Sequence, residues 1–175
     1  LRIIGENAFH GTYIDHLFFP ENMEEVRNNW CCYTTNLLAF SIAEGNKNFK
    51  FLDDDEEIIV GKSDPNEDIF DVIVFVVRDI LSIFIDCYIK YIGSSALSAC
   101  YDLSSVSFAE NSELVSVGEN AFSGSFIEFI CFPESLKDVG AQAFARCTDL
   151  LSIEFLGNEL NLGRYCFSGC DNLNI

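Results

Sequence analysis

The sequence predicts a β-rich α/β solenoid, in which short parallel strands stack coil upon coil and short helical turns join them. Three observations predict it. The word Gly-Glu-Asn-Ala-Phe occurs twice, at Gly5–Phe9 and at Gly118–Phe122. An apolar triplet at positions one, four and six follows each such word. The triplets recur every 23 residues or so, with one long interruption. Self-similarity at a period of roughly 20–50 residues marks a repeat architecture, because a single unit cannot bury its apolar face alone.

Weaker copies of the word are Gly93-Ser-Ser-Ala-Leu97, Gly140-Ala-Gln-Ala-Phe144 and Gly163-Arg-Tyr-Cys-Phe167, and Arg27-Asn-Asn-Trp-Cys31 fills the same slot in a worn copy. The triplets are Ile14-Leu17-Phe19, Leu37-Phe40-Ile42, Ile80-Ile83-Ile85, Leu103-Val106-Phe108, Ile127-Ile130-Phe132 and Leu150-Ile153-Phe155, and Leu173 opens a seventh. Their first positions are separated by 23, 43, 23, 24, 23 and 23 residues. About six coils are expected. In the unit Val117–Phe132, Gly118 allows a backbone path that a Cβ would crowd. Ala121 and Phe122 are assigned to a short helical turn with Phe122 pointing inward, and Gly124 closes it. Ile127, Ile130 and Phe132 form a strand. Pro133 follows at once, as Pro20 follows Phe19, where a residue without a ladder donor fits. Leu136 and Val139 cover the core. An inner phenylalanine column accounts for most of the 17 phenylalanines.

The 43-residue step is 20 residues too long. Within it, Ile58–Val60, the turn-rich stretch 61–68 and Val72–Val76 read as a β-hairpin. The chain is therefore divided into coils at 1–51, a hairpin insertion at 52–79 and coils at 80–175, all in one solenoid. The hairpin is expected to project from one edge or to pad it. Asp64-Pro-Asn-Glu-Asp68 looks like the start of a calcium loop, but Ile69 at the sixth position and Phe75 at the twelfth exclude an EF-hand and leave a solvated turn. The apolar stretch Ile69–Ile85 carries Asp71, Arg78 and Asp79, so two strands are a better reading than a membrane span. The chain begins at Leu1 and stops within a copy, which suggests a piece of a longer array.

A net charge of −18 argues against nucleic acid and anionic membrane as partners, and favours basic patches on a protein. Eight cysteines form no Cys-x-x-Cys and no zinc-spaced cluster. Cys100, Cys147 and Cys170 share a repeat position that Gly11 and Gly124 are taken to fill elsewhere. This column reads as buried thiols, with a Cys147–Cys170 disulfide as the alternative at a coil separation of about 5 Å. His10 and His16 are the two histidines, and no nucleophile–base or metal-ligand pattern accompanies them. No catalytic residue, cofactor or metal is assigned.

Side chains alternate along a strand. With triplet positions one, four and six inward, positions three and five face out. These give His16, Phe18, Ala39, Ser41, Ser82, Phe84, Ser105, Ser107, Phe129, Cys131, Ser152 and Glu154. Apart from Ala39, they form the candidate protein-binding face, with Phe18, Phe84 and Phe129 as aromatic anchors on one continuous sheet. Lateral packing by the hairpin or a neighbouring chain would explain the same residues without binding.

Ile/Val-Gly-x-x-Ala-Phe followed by Leu-x-x-Ile-x-Phe-Pro resembles the BspA-like leucine-rich repeats, a 23-residue class found in surface proteins of anaerobic bacteria and protozoan parasites. Val117–Pro133 and Ile4–Pro20 match best, and Val139–Phe155 follows closely. Arg27–Cys32 departs from the pattern, and Ile85-Asp86 lacks the proline. The resemblance implies a leucine-rich-repeat solenoid, cell-surface exposure, and adhesion to host or matrix proteins without catalysis. An intracellular scaffold or regulator in the cytoplasm is one alternative, since eight cysteines without clear pairing suit a reducing compartment. A structural spacer of a larger surface protein is another. No direct membrane insertion of this segment is expected, and the oligomeric state is left open.

Overall fold

A computed structural model of the chain describes residues 1–174. In chain order its strands are β1 (Ile3–Ile4), β2 (His16–Phe19), β3 (Glu25–Val26), β4 (Ala39–Ile42), β5 (Phe49–Phe51), β6 (Ile58–Gly61), β7 (Val72–Val76) and β8 (Ser82–Ile85). They continue as β9 (Tyr91–Ile92), β10 (Ser105–Phe108), β11 (Ser116–Val117), β12 (Phe129–Phe132), β13 (Asp138–Val139), β14 (Ser152–Phe155) and β15 (Asn161–Leu162). A regular coil comprises a two-residue strand, a turn, a four-residue strand and a return loop. The chain is a β-solenoid of about seven turns.

No helix occurs among the described residues, so the expected helical turns are corrected. The backbone hydrogen bonds give the reason. In the turn after Gly118, Ala121, Ser123 and Ser125 donate their N–H groups to Gly118, Asn120 and Phe122 three residues back. The intervening Asn120, Phe122 and Gly124 donate instead to Ala141, Ala143 and Ala145 of the next coil. An α-helix needs every interior N–H for its own i−4 carbonyl. Here alternate donors are committed to the neighbouring coil. Two left-handed residues per turn enforce this path, Asn120 at φ 54° and Gly124 at φ 72°. Asn7/Gly11, Ser95/Ala99 and Gln142/Arg146 repeat the arrangement. Asparagine tolerates that region better than most residues.

Stacking buries the aromatic column. Phe122 and Phe144 stack at 5.0 Å, Phe144 and Phe167 at 5.7 Å, and Phe132 and Phe155 at 5.6 Å. The thiol column is shifted by one residue from the sequence alignment. Thr12, Thr34 and Ser125 occupy the place of Cys100, Cys147 and Cys170, while Gly11 and Gly124 belong to the neighbouring left-handed position. The shared property is a small donor. Thr34 Oγ1 donates to the Cys31 carbonyl at 2.6 Å, and Cys147 Sγ donates to the Phe122 carbonyl at 3.1 Å. All eight cysteines are free thiols.

The segment after β4 neither projects nor merely pads an edge. β5 pairs antiparallel with β6, and β6 with β7. β7 then pairs parallel with β9 and joins the two-residue strands of the later coils. β6 is buried throughout, and Ile73, Phe75 and Val76 are fully buried. The third coil therefore has no turn of its own, and the turn of the second coil lies directly against that of the fourth. Side chains repair the ladder across this fault. The N–H groups of Asn29 and Tyr33 donate to the hydroxyls of Ser94 and Ser98. Arg78, only 3% exposed, places its guanidinium between the coils. It donates to the carbonyls of Cys31 at 3.2 Å and Ala96 at 3.0 Å, and lies 4.2 Å from the Phe75 ring centroid. Among the described residues no carboxylate bonds to it, so carbonyl dipoles and the ring face take the charge.

Candidate protein-binding face

All eleven candidate residues are exposed and lie on the four-residue strands β2, β4, β8, β10, β12 and β14. Phe18 is 51% exposed, Phe84 59% and Phe129 56%. Alternation sets the outward positions, because the intervening Phe40, Ile83, Val106 and Ile130 are buried in the core. Register then sets each neighbour. Phe18 lies opposite Ser41, Phe84 opposite Ser107, Phe129 opposite Ser152, and Cys131 opposite Glu154. His16 Nε2 and Ser41 Oγ are 2.8 Å apart. Partial burial and then Glu154 raise the pKa of the Cys131 thiol.

The face is not one continuous sheet. It is split into the ladders β2–β4, β8–β10 and β12–β14. The inserted strands separate the first two. Between the second and third, the step from Ser105 to Phe129 is 24 residues, whereas steps within the ladders are 23. The three phenylalanines thus belong to three ladders and form no single cluster.

The first break opens a groove of about 330 Å³. Phe84 and Tyr88 line it on one side, and Asp53, Glu57 and Asp86 add carboxylates. Tyr88 is 43% exposed. The sequence reading missed Tyr88 and the contribution of 52–58, because both lie outside the periodic triplets. The acidic run Asp53–Glu57 was the available signal. Among the described residues no group of three His, Cys, Asp or Glu is placed to hold a metal ion, and no helix is long and apolar enough to cross a membrane.

The profile of the BspA type leucine-rich repeat region matches six copies over residues 1–51 and 73–175. The chain belongs to this family. The unmatched interval, 52–72, holds β6 and the acidic run. Its solenoid is similar to the crystal structure of a leucine-rich repeat protein from Eubacterium ventriosum, with TM-score 0.82 and 17% identity over 99% of this chain and 44% of that one. It is also similar to a leucine-rich cell surface protein from Faecalibacterium prausnitzii, with TM-score 0.66 and 19% identity over 94% and 51%. A leucine-rich repeat protein from Bacteroides ovatus gives TM-score 0.55 and 21% identity over 99% and 40%. The BspA-type chain spans about half the length of these proteins or less. No curated protein matches it.

Proposed function

We propose that this BspA-type segment is a non-enzymatic protein-binding module of a cell-surface protein, and that it adheres to host or matrix proteins through basic side chains. The carrying observation is the groove at the fault, where exposed Phe84 and Tyr88 stand beside Asp53, Glu57 and Asp86. Aromatic anchors flanked by carboxylates suit lysine and arginine, whose stems pack on rings while their charges meet the acids. Phe18 and Phe129 extend the contact onto the neighbouring ladders. The net charge of −18 steers a basic partner toward the module and repels nucleic acid.

Binding of the purified chain to immobilised matrix proteins tests this reading. The wild-type chain is expected to bind, and a variant with Phe18, Phe84 and Phe129 all changed to serine to lose most of that affinity with its fold intact. Equal binding by both chains overturns the assignment of the face. Antibody staining of intact cells tests exposure. Staining only after permeabilisation overturns the surface placement.

A further inference from the structure

The opposite side of the same fault holds a second cavity, of about 260 Å³. It lies between β3 and the Gly93–Ser94 bend of the fourth coil, with Trp30, Phe49 and Val74 in its lining. Two features point to what it takes. In regular coils the two-residue strand gives its outer edge to the next coil, as when Asp138 and Gly140 donate to the carbonyls of Val115 and Val117. β3 pairs with β1 alone, so among the described residues the carbonyls of Glu24 and Val26 have no backbone partner on their outer edge. An edge of this kind is a template for another strand. The second feature is Trp30, which is 1% exposed and whose Nε1–H is buried without an acceptor. The N–H itself has no accessible surface, so it is the ring of Trp30 that lines the cavity and supplies an apolar wall.

We propose that this cavity binds an extended peptide segment of two or three residues, which adds to β3 as a parallel strand. The N–H groups of its first and third residues donate to the carbonyls of Glu24 and Val26. Its first carbonyl accepts from Val26. Its middle residue sits where Val117 and Val139 sit in later coils, so a small apolar side chain there faces Trp30, Phe49 and Val74. Main-chain bonding gives the affinity, and the apolar floor selects the side chain.

Trp30 is the only tryptophan, so it gives a single indole N–H resonance. Titration of the ¹⁵N-labelled chain with acetyl-Ser-Val-Ser-amide is expected to shift that resonance and the Val26 amide together, saturably. Methylating the first and third peptide nitrogens removes two donors and should weaken binding roughly tenfold or more. Val72→Phe, which fills the cavity from β7, should abolish the shift while the melting temperature is kept. The Phe18, Phe84 and Phe129 serine variant should bind the peptide normally, which separates this site from the outward face. No shift up to about 1 mM peptide, or an equal shift with the methylated peptide, overturns the proposal.

Discussion

Gly118, Gly140 and Gly163 are glycine because the preceding coil passes too close for a Cβ. An added Cβ would lie 2.6 Å from the Ser94 nitrogen, 2.5 Å from the Glu119 nitrogen and 2.3 Å from the Ala141 nitrogen. Gly5, in the first coil, would meet nothing within 4 Å. Gly140→Ala is therefore expected to lower stability by about 1–3 kcal/mol, the usual scale of overpacking, while Gly5→Ala stays near neutral. Chemical denaturation of the two variants side by side checks this. Arg78→Met keeps the apolar stem but removes the charged donors to the Cys31 and Ala96 carbonyls, which keep only Thr34 and Val76 as donors, at about 1.5–3 kcal/mol for each charge-assisted bond lost. It should melt well below wild type, and Arg78→Lys should restore only part, because an ammonium lacks the fork that spans two coils. Burial pushes the Cys31 thiol up from 9.0 to about 12, outweighing the opposing effect of Arg78. Below pH 9 the thiol is protonated in both folded and unfolded chains. Above it only the unfolded chain ionises, so stability contributed by Cys31 is lost as pH rises from about 9 to about 12. Denaturant midpoints should fall across that window. Cys31→Ala should flatten the fall in part, since burial also raises Cys100 and Cys166.

At the scale of elements, the sequence that looked worn is fitted to the insertion. In Arg27-Asn-Asn-Trp-Cys31, Trp30 stands at the alanine position of the repeat and Cys31 at the phenylalanine position. A regular third turn would leave no room for an indole there. Without that turn, Trp30 packs against Phe19 at 6.0 Å and Phe75 at 5.8 Å, and Phe75 meets Phe40 at 4.6 Å. The small Cys31 leaves space for Arg78, whose Nη2 lies 3.4 Å from its sulfur. Trp30→Ala should cost about 3–5 kcal/mol, as large-to-small changes in cores do. Restoring the regular word with Trp30→Ala and Cys31→Phe together should not rescue it, because Phe75 and Arg78 occupy the space. Thermal melting of the single and double variants decides. The period, the glycine word and the triplets made the coils and the outward residues legible, because each depends on local spacing. The turns were misread as helical because a short apolar word with alanine suits a helix locally. Its alternate donors are drawn away by a coil 22 residues or so distant along the chain, as Asn120 bonds Ala141.

At the scale of the whole molecule, the fault divides the outward face into ladders and makes two cavities, one acidic and aromatic, the other with an apolar floor, a partly charged rim and a free strand edge. Binding of a basic protein to the first should weaken as salt rises, because part of the attraction is between exposed charges. Peptide binding at β3 should be nearly insensitive to salt, since it rests on main-chain bonds and apolar contact. Isothermal titration at low and high ionic strength distinguishes the two. By itself the sequence determined the solenoid, its period, the place of the interruption and the side each strand residue faces. These follow from stacking identical units and from two-residue alternation. Only the tertiary structure decided that the insertion replaces a turn, that Arg78, Ser94 and Ser98 repair the ladder, and that Tyr88 lines one groove with Asp53 and Glu57. Those contacts join residues with no common spacing, brought together because burying β6 and β7 leaves backbone donors and carbonyls that must find partners elsewhere.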